Sequence, residues 1–198
     1  MIKIKSRAFG AYQTNCYIVD IDNKQLIIDP GVLATKWVKS SVTNPIAILN
    51  THGHFDHIWS DCELKEELKI PIYIPKDDAF MLEEDIFNQS QPTCKADILV
   101  DKDREYDIEG VKVKFILFPG HTPGCSVIEI EDSWFSGDFI FENSIGRVDF
   151  PYSNPKDMKK SLEKFLKIEY DKRVYTGHGN PTTIKKEQKN IPSWFGYL

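Results

Sequence analysis

Apolar residues in this chain fall in short runs spaced as strands are, interrupted by a few stretches of helical period. Residues 16–21 and 25–28 are apolar runs flanking Asp22-Asn23-Lys24, which reads as a hairpin turn. Asp29-Pro30-Gly31 ends the second run. Residues 32–43 have helical spacing, with Val32, Trp37, Val38 and Val42 on one face. Pro45 then precedes Ile46-Ala47-Ile48-Leu49, a short apolar run that predicts a buried strand. Ser60-Asp61-Cys62-Glu63 fits a capping box, followed by Leu64 and Leu68 and stopped by Pro71. Residues 72–74 predict a strand, and 77–87 a helix with Ala79, Leu82, Ile86 and Phe87 inward. Residues 88–93 are polar with one proline and predict a loop, a candidate mobile cover.

The second half repeats the scheme. Val111, Val113, Phe115 and Leu117 alternate with lysines before the run turns wholly apolar, the mark of a strand that enters the core. Residues 127–130, 134–135 and 173–176 predict further strands. Asn154-Pro155 opens a helix with Met158, Leu162, Phe165 and Leu166 on its core face. The aromatic tail, 192–198, should pack down on the body. Strands, helix, strand and helix, twice over, predict two packed mixed sheets with helices on the outer faces. The expected organisation is a single domain, 1–198, made of two similar halves, about 1–100 and 101–198.

The chemistry sits where the strands end. Thr51-His52-Gly53-His54-Phe55-Asp56-His57 follows the strand at 46–49 and packs three imidazoles and a carboxylate into six residues. Neutral imidazole and carboxylate oxygen are both divalent-metal donors. His52 and His54, two apart, face the same side of an extended chain, while Asp56 and His57 follow a turn and can face a second ion. The chain has five histidines. The other two, His121 in Pro119-Gly120-His121-Thr122-Pro123-Gly124 and His178 in Thr176-Gly177-His178-Gly179, also follow strands and sit beside glycine. Asp138, in Ser136-Gly137-Asp138, ends a strand that should be buried, and a carboxylate at that depth needs a partner or an ion.

Composition narrows the function classes. The 198 residues carry 25 Lys and Arg against 30 Asp and Glu, a formal charge of −5, which argues against a nucleic-acid enzyme. Hydrophobic content of 41% and charged content of 28% are those of a globular protein. No run reaches the ~20 apolar residues of a membrane helix. The residues from Met1 to Lys5 alternate as an edge strand does and lack a signal-peptide pattern. Cys16, Cys62, Cys94 and Cys125 are scattered without a CxxC pair, so they are expected to be free structural thiols. Together these predict a cytoplasmic enzyme acting on a small molecule, without nucleic-acid or membrane partners.

The set HxHxDH, PGHTPG, SGD and TGHG resembles the metallo-β-lactamase superfamily, and within it the small glyoxalase II-like hydrolases of hydroxyacylglutathione hydrolase type. The resemblance runs from Asn15-Cys16-Tyr17 through Asp29-Pro30-Gly31 to His178, and includes the stretch from Ser144 to Pro151. It implies an αββα sandwich with two divalent ions, zinc favoured and iron or manganese as alternatives. By position it implies His52, His54 and His121 on one ion, Asp56, His57 and His178 on the other, and Asp138 bridging. Asp56 and Asp138 would then be the catalytic carboxylates, and Asp29 would orient a ligand imidazole. Two ions sharing a hydroxide at neutral pH suit thioester or ester hydrolysis, with an S-lactoylglutathione-like substrate favoured. Arg147 is the first candidate for gripping an anionic substrate, with Tyr175 and Lys172 behind it. Full-length glyoxalase II enzymes add a C-terminal helical extension that forms much of the glutathione surface, whereas twenty residues follow His178, so the carrier thiol stays open. Two other readings remain: a persulfide dioxygenase with one iron on His52, His121 and Asp138, and a metal-stabilised binding domain without catalysis.

Overall fold

The computed structural model describes residues 2–198; Met1, the first residue of the alternating N-terminal pattern, lies outside them. The first sheet takes β1 (Lys3–Phe9), β2 (Thr14–Ile21), β3 (Lys24–Ile28), β4 (Pro45–Leu49), β5 (Ile72–Pro75) and β6 (Ile98–Val100), in that order. β1, β2 and β3 pair antiparallel, and β3 to β6 pair parallel. Helices α1 (Thr35–Ser41), α2 (Phe55–Ile58), α3 (Asp61–Leu68) and α4 (Ala79–Glu83) fill the connections. The second sheet uses β7 (Arg104–Ile108), β8 (Val111–Leu117), β9 (Ser126–Ile130), β10 (Ser133–Gly137), β13 (Arg173–Thr176) and β14 (Thr182–Thr183). Their spatial order is β14-β13-β10-β9-β8-β7, with only β10 and β13 parallel. β11 (Ile140–Phe141) and β12 (Ser144–Ile145) make a small hairpin beside it, and α5 (Pro155–Leu166), α6 (Ile184–Gln188) and α7 (Ile191–Trp194) complete the chain.

Period-2 alternation divides each central strand between two cores. Leu26 and Ile28 of β3 and Ala47 and Leu49 of β4 meet Phe115, Ile128, Ile130 and Phe135 of the second sheet in a core between the sheets. Their strand neighbours Ile27 and Ile48 turn outward, onto Val38, Ile58, Leu64 and Met81. On the far side Ile116, Val127 and Trp134 pack under Met158, Leu162 and Phe165 of α5. Three apolar layers between four layers of secondary structure make the αββα sandwich. Asn154 caps α5, its Oδ1 accepting from the backbone N–H groups of Lys156 and Asp157 at 2.9 and 3.3 Å. Trp194, Phe195 and Leu198 of the tail lie on the core beneath α5.

Several local expectations are corrected. Ser60 does not cap α3; its hydroxyl donates instead to the carbonyl of Gly31 at 2.7 Å. The helix expected over 77–87 is only a 3-10 turn, Lys76–Asp78, and the five residues of α4, because Glu84 turns extended. Residues 88–93 form a loop, as expected, in which Gln91 is buried and donates to the Met81 carbonyl at 2.7 Å and Asp85 accepts from the N–H groups of Gln89 and Ser90. Cys62 and Cys94 form a disulfide with Cα atoms 5.7 Å apart, so the expectation of four free thiols fails. Cys16 and Cys125 are free and buried. The thiol argument for a reducing compartment therefore no longer carries. Among the described residues no helix is long and apolar enough to cross a membrane.

Candidate metal centre

Both sheets deliver their polar loops to one end of the sandwich. The segment after β4 brings His52 and His54, and α2 brings Asp56 and His57. The turn after β8 brings His121, Asp138 follows β10, and His178 follows β13. Donor atoms of His52, His54 and His121 lie within 4.8 Å of one another, and so do those of Asp56, His57 and His178. Asp138 stands between the groups. Its Oδ2 is 3.4 Å from both His121 Nε2 and His178 Nε2, and its Oδ1 is 3.4 Å from His57 Nε2.

The ring nitrogens facing away from this cluster are held. His57 Nδ1 is 3.0 Å from Asp29 Oδ2, His121 Nδ1 is 2.8 Å from the Arg147 carbonyl and His178 Nδ1 is 2.9 Å from the Tyr12 carbonyl. His52 Nδ1 is 3.0 Å from the Thr51 hydroxyl, which itself donates to Asp29 at 2.7 Å. Such contacts fix each ring's tautomer and aim its other nitrogen inward. Asp29 lies close enough to His52 and His57 to count as a donor, but its oxygens already accept from the Thr51 N–H, the Thr51 hydroxyl and His57. It therefore sits behind the cluster, against Thr51 and His57. Thr14 donates to Asp56 Oδ2 at 2.6 Å. Backbones must come close for this convergence: a Cβ on Gly177 would stand 2.1 Å from Asp138 Oδ1 and 2.9 Å from His57 Cε1.

What remains unmatched points at a cation. His52 Nε2, His57 Nε2 and Asp138 Oδ1 are buried without a hydrogen-bond partner. Buried polar atoms are rarely left so. Burial pushes His52 well down, His54 down to about 3 and His121 down, so all three rings are neutral donors at pH 7. Burial lowers His57 too, but Asp56 and Asp138 more than offset it and raise the ring. Burial raises Asp138, but His57 and His178 outweigh it and hold the carboxyl well below its usual range. The first group thus offers neutral imidazoles. In the second, burial lowers His178 but Asp138 outweighs it and raises the ring, so the carboxylates hold protons on His57 and His178 that a divalent ion would displace.

The structure brings Arg147 to the adjoining cleft, a cavity of about 450 Å³. It does not bring Lys172 or Tyr175 there. Lys172 precedes β13, at the far end from the cluster, and pairs with Glu129 at 3.1 Å. Tyr175 stacks on Phe135 with ring centroids 5.2 Å apart and packs against the core between the sheets. Sequence reasoning missed Asp78. Fully buried, it accepts from the Gly53 N–H at 2.9 Å, the Thr122 hydroxyl at 2.6 Å and the Gly124 N–H at 2.6 Å. It thus ties the His52-His54 loop to the His121 loop. In the sequence Asp77-Asp78 looks like the solvent side of a helix, and no motif marks it.

Comparison with known proteins agrees with this geometry. Residues 9–178 match the family model described as Metallo-beta-lactamase superfamily. The chain is 32% identical to "Probable metallo-hydrolase YqgX" of Bacillus subtilis (strain 168), covering 99% of both chains. It is 33% identical to "Hydroxyacylglutathione hydrolase GloC" of Haemophilus influenzae, covering 92% of this chain and 93% of that one. Among solved structures, that of TTHA1623 in a di-iron-bound form superposes with a TM-score of 0.82 at 30% identity, covering 96% of this chain and 99% of the other. With its sandwich, its paired donor groups and a family match over most of its length, the chain belongs to the metallo-beta-lactamase superfamily.

Proposed function

We propose that this protein hydrolyses a thioester or ester with two divalent metal ions. The observation that carries the reading is the pair of donor groups on either side of Asp138, with His52 Nε2, His57 Nε2 and Asp138 Oδ1 unmatched. His52, His54 and His121 would hold one ion, Asp56, His57 and His178 the other, with Asp138 between them. Bound there, such ions supply Lewis-acid polarisation of a carbonyl and a water ionised at neutral pH. The protein's own part is to aim and hold the donors. Asp29, Thr51 and the carbonyls of Arg147 and Tyr12 keep the rings of His57, His52, His121 and His178 in one tautomer. Asp56 and Asp138 supply two negative charges against the ions' four positive ones, leaving a net attraction for an oxyanion. In the overall reaction water adds its oxygen to the acyl carbon, the C–S bond breaks, and the thiolate takes a proton.

The cleft lining includes no serine, cysteine or lysine, the common carriers of an acyl-enzyme, which favours direct attack by water. A thiolate leaves without strong acid help, which favours a thioester over an amide. The GloC relative's name supports that class. The one-iron dioxygenase reading employs His52, His121 and Asp138 and gives Asp56, His57 and His178 no task. The test is a thioester panel, S-lactoylglutathione included, run on protein loaded in turn with zinc, iron or manganese. Thiol release that chelation abolishes is the expected result. Oxygen uptake with one iron per chain would replace this reading with the dioxygenase one.

A further inference from the structure

The cleft has a polar floor and aromatic walls. The floor is the donor cluster. The walls are Tyr12, Phe55, Phe87, Phe141, Phe150 and Pro151. The rings run in contact from mouth to floor: Tyr12 to Phe55 at 5.6 Å, Phe55 to Phe87 at 6.1 Å, and Phe87 to the His54 ring at 5.5 Å. Phe150 faces His54 and His121 from the other side, at 5.9 and 6.0 Å.

Among the described residues one Arg or Lys lines this space, Arg147. It is already engaged. Its Nε donates to Asp149 Oδ1 at 2.9 Å and its Nη2 to Asp149 Oδ2 at 2.7 Å, while its guanidinium lies 4.3 Å from the Phe150 ring centroid. The pair is well exposed, so it adds little to stability. Even so, Asp149 offsets the guanidinium's charge at this position. A substrate carboxylate reaching for Arg147 meets the Asp149 carboxylate as well, and like charges brought together select against a partner.

Resting on the hydrolase reading, we propose that the substrate is a thioester whose acyl group is aromatic or bulky and apolar and whose carrier thiol is neutral, and that Asp149 is the residue that turns anionic carriers away. A flat ring finds edge and face partners on these walls. A glutathione carrier brings two carboxylates and one ammonium and finds no unpaired cation among the cleft residues.

Binding of unreactive thioethers tests this apart from catalysis. Calorimetry on the metal-loaded protein would compare S-benzyl-N-acetylcysteamine, S-benzylglutathione and S-methyl-N-acetylcysteamine. The neutral benzyl compound should bind about tenfold tighter than either of the others, because only it matches both the rings and the offset charge. In Asp149→Asn, S-benzylglutathione should gain about fivefold while the neutral compound is unchanged, because the guanidinium is freed. Equal affinities, tighter binding of S-benzylglutathione, no binding of any of the three, or no gain in the variant would each overturn the inference. A preserved binding order with no thioester hydrolysis would leave this selectivity standing and remove only the hydrolase reading.

Discussion

Asp138→Ala is expected to lose hydrolysis by on the order of 10³-fold or more, about 4 kcal/mol of transition-state stabilisation, together with part of the bound metal. The residue touches both halves of the centre, 3.4 Å from His121 on one side and from His57 and His178 on the other. No neighbour can replace it. Asp56 is held by Thr14 at 2.6 Å, and Asp29 is committed to Thr51 and His57. Asp138→Asn, with the same shape and no charge, should behave nearly as badly if charge is what the ions need. Elemental analysis and kcat/KM on the same preparations separate the two effects. Wild-type turnover with full metal in either variant would remove Asp138 from the centre.

The second large effect is expected at Asp78, which touches no donor atom of the cluster. Asp78→Ala would leave the N–H groups of Gly53 and Gly124 and the Thr122 hydroxyl buried without an acceptor. Each unmatched group costs about 1–3 kcal/mol, so a loss of about 3 kcal/mol or more is expected in urea unfolding. Because Gly53 lies between His52 and His54, and Thr122 follows His121, metal affinity should fall about 10–100-fold as well, the usual consequence of loosening the groups behind a ligand.

A pH comparison gives the clamp a second signature. Burial raises Asp78 from 3.8 to about 6, against its three hydrogen bonds, which pull the other way. A folded-state value above the unfolded one means that the folded protein binds the extra proton. The proton-linked part of the stability at Asp78 is therefore complete below pH 3.8 and is lost as pH rises through about 6, while the hydrogen bonds accepted by the carboxylate remain. Asn cannot titrate. In chelator, the stability of the wild type relative to Asp78→Asn should thus rise by on the order of 1 kcal/mol on going from about pH 7.5 to pH 5. Parallel pH profiles for the two proteins would show that this carboxyl does not titrate as its burial demands.

The sandwich was legible because its central strands are apolar on both faces. Runs such as Ile46-Ala47-Ile48-Leu49 have no other stable place than between two layers. The donor residues were legible because imidazole and carboxylate recur where such runs stop, and a strand's end is where a sheet exposes side chains to a cleft. Chemistry that depends on side-chain direction was not. Lys172 and His178 flank the same strand, but at about 3.3 Å per residue the strand carries one away from the other, and Tyr175 alternates inward onto Phe135. Asp78 and the Cys62–Cys94 pair depend on contacts between segments far apart in the chain, 25 to 46 residues for the first and 32 for the second. No local pattern records those. β6 is apolar but only three residues long, and β7 is mostly polar, so neither stands out from the polar stretch around them.

Anomalous diffraction from crystals of the metal-loaded protein, read together with metal content per chain, tests the central claim most directly. Two peaks are predicted, one among His52, His54 and His121 and one among Asp56, His57 and His178, with the Asp138 carboxylate between them. A single peak on His52, His121 and Asp138, or a second ion held by other residues, would contradict it.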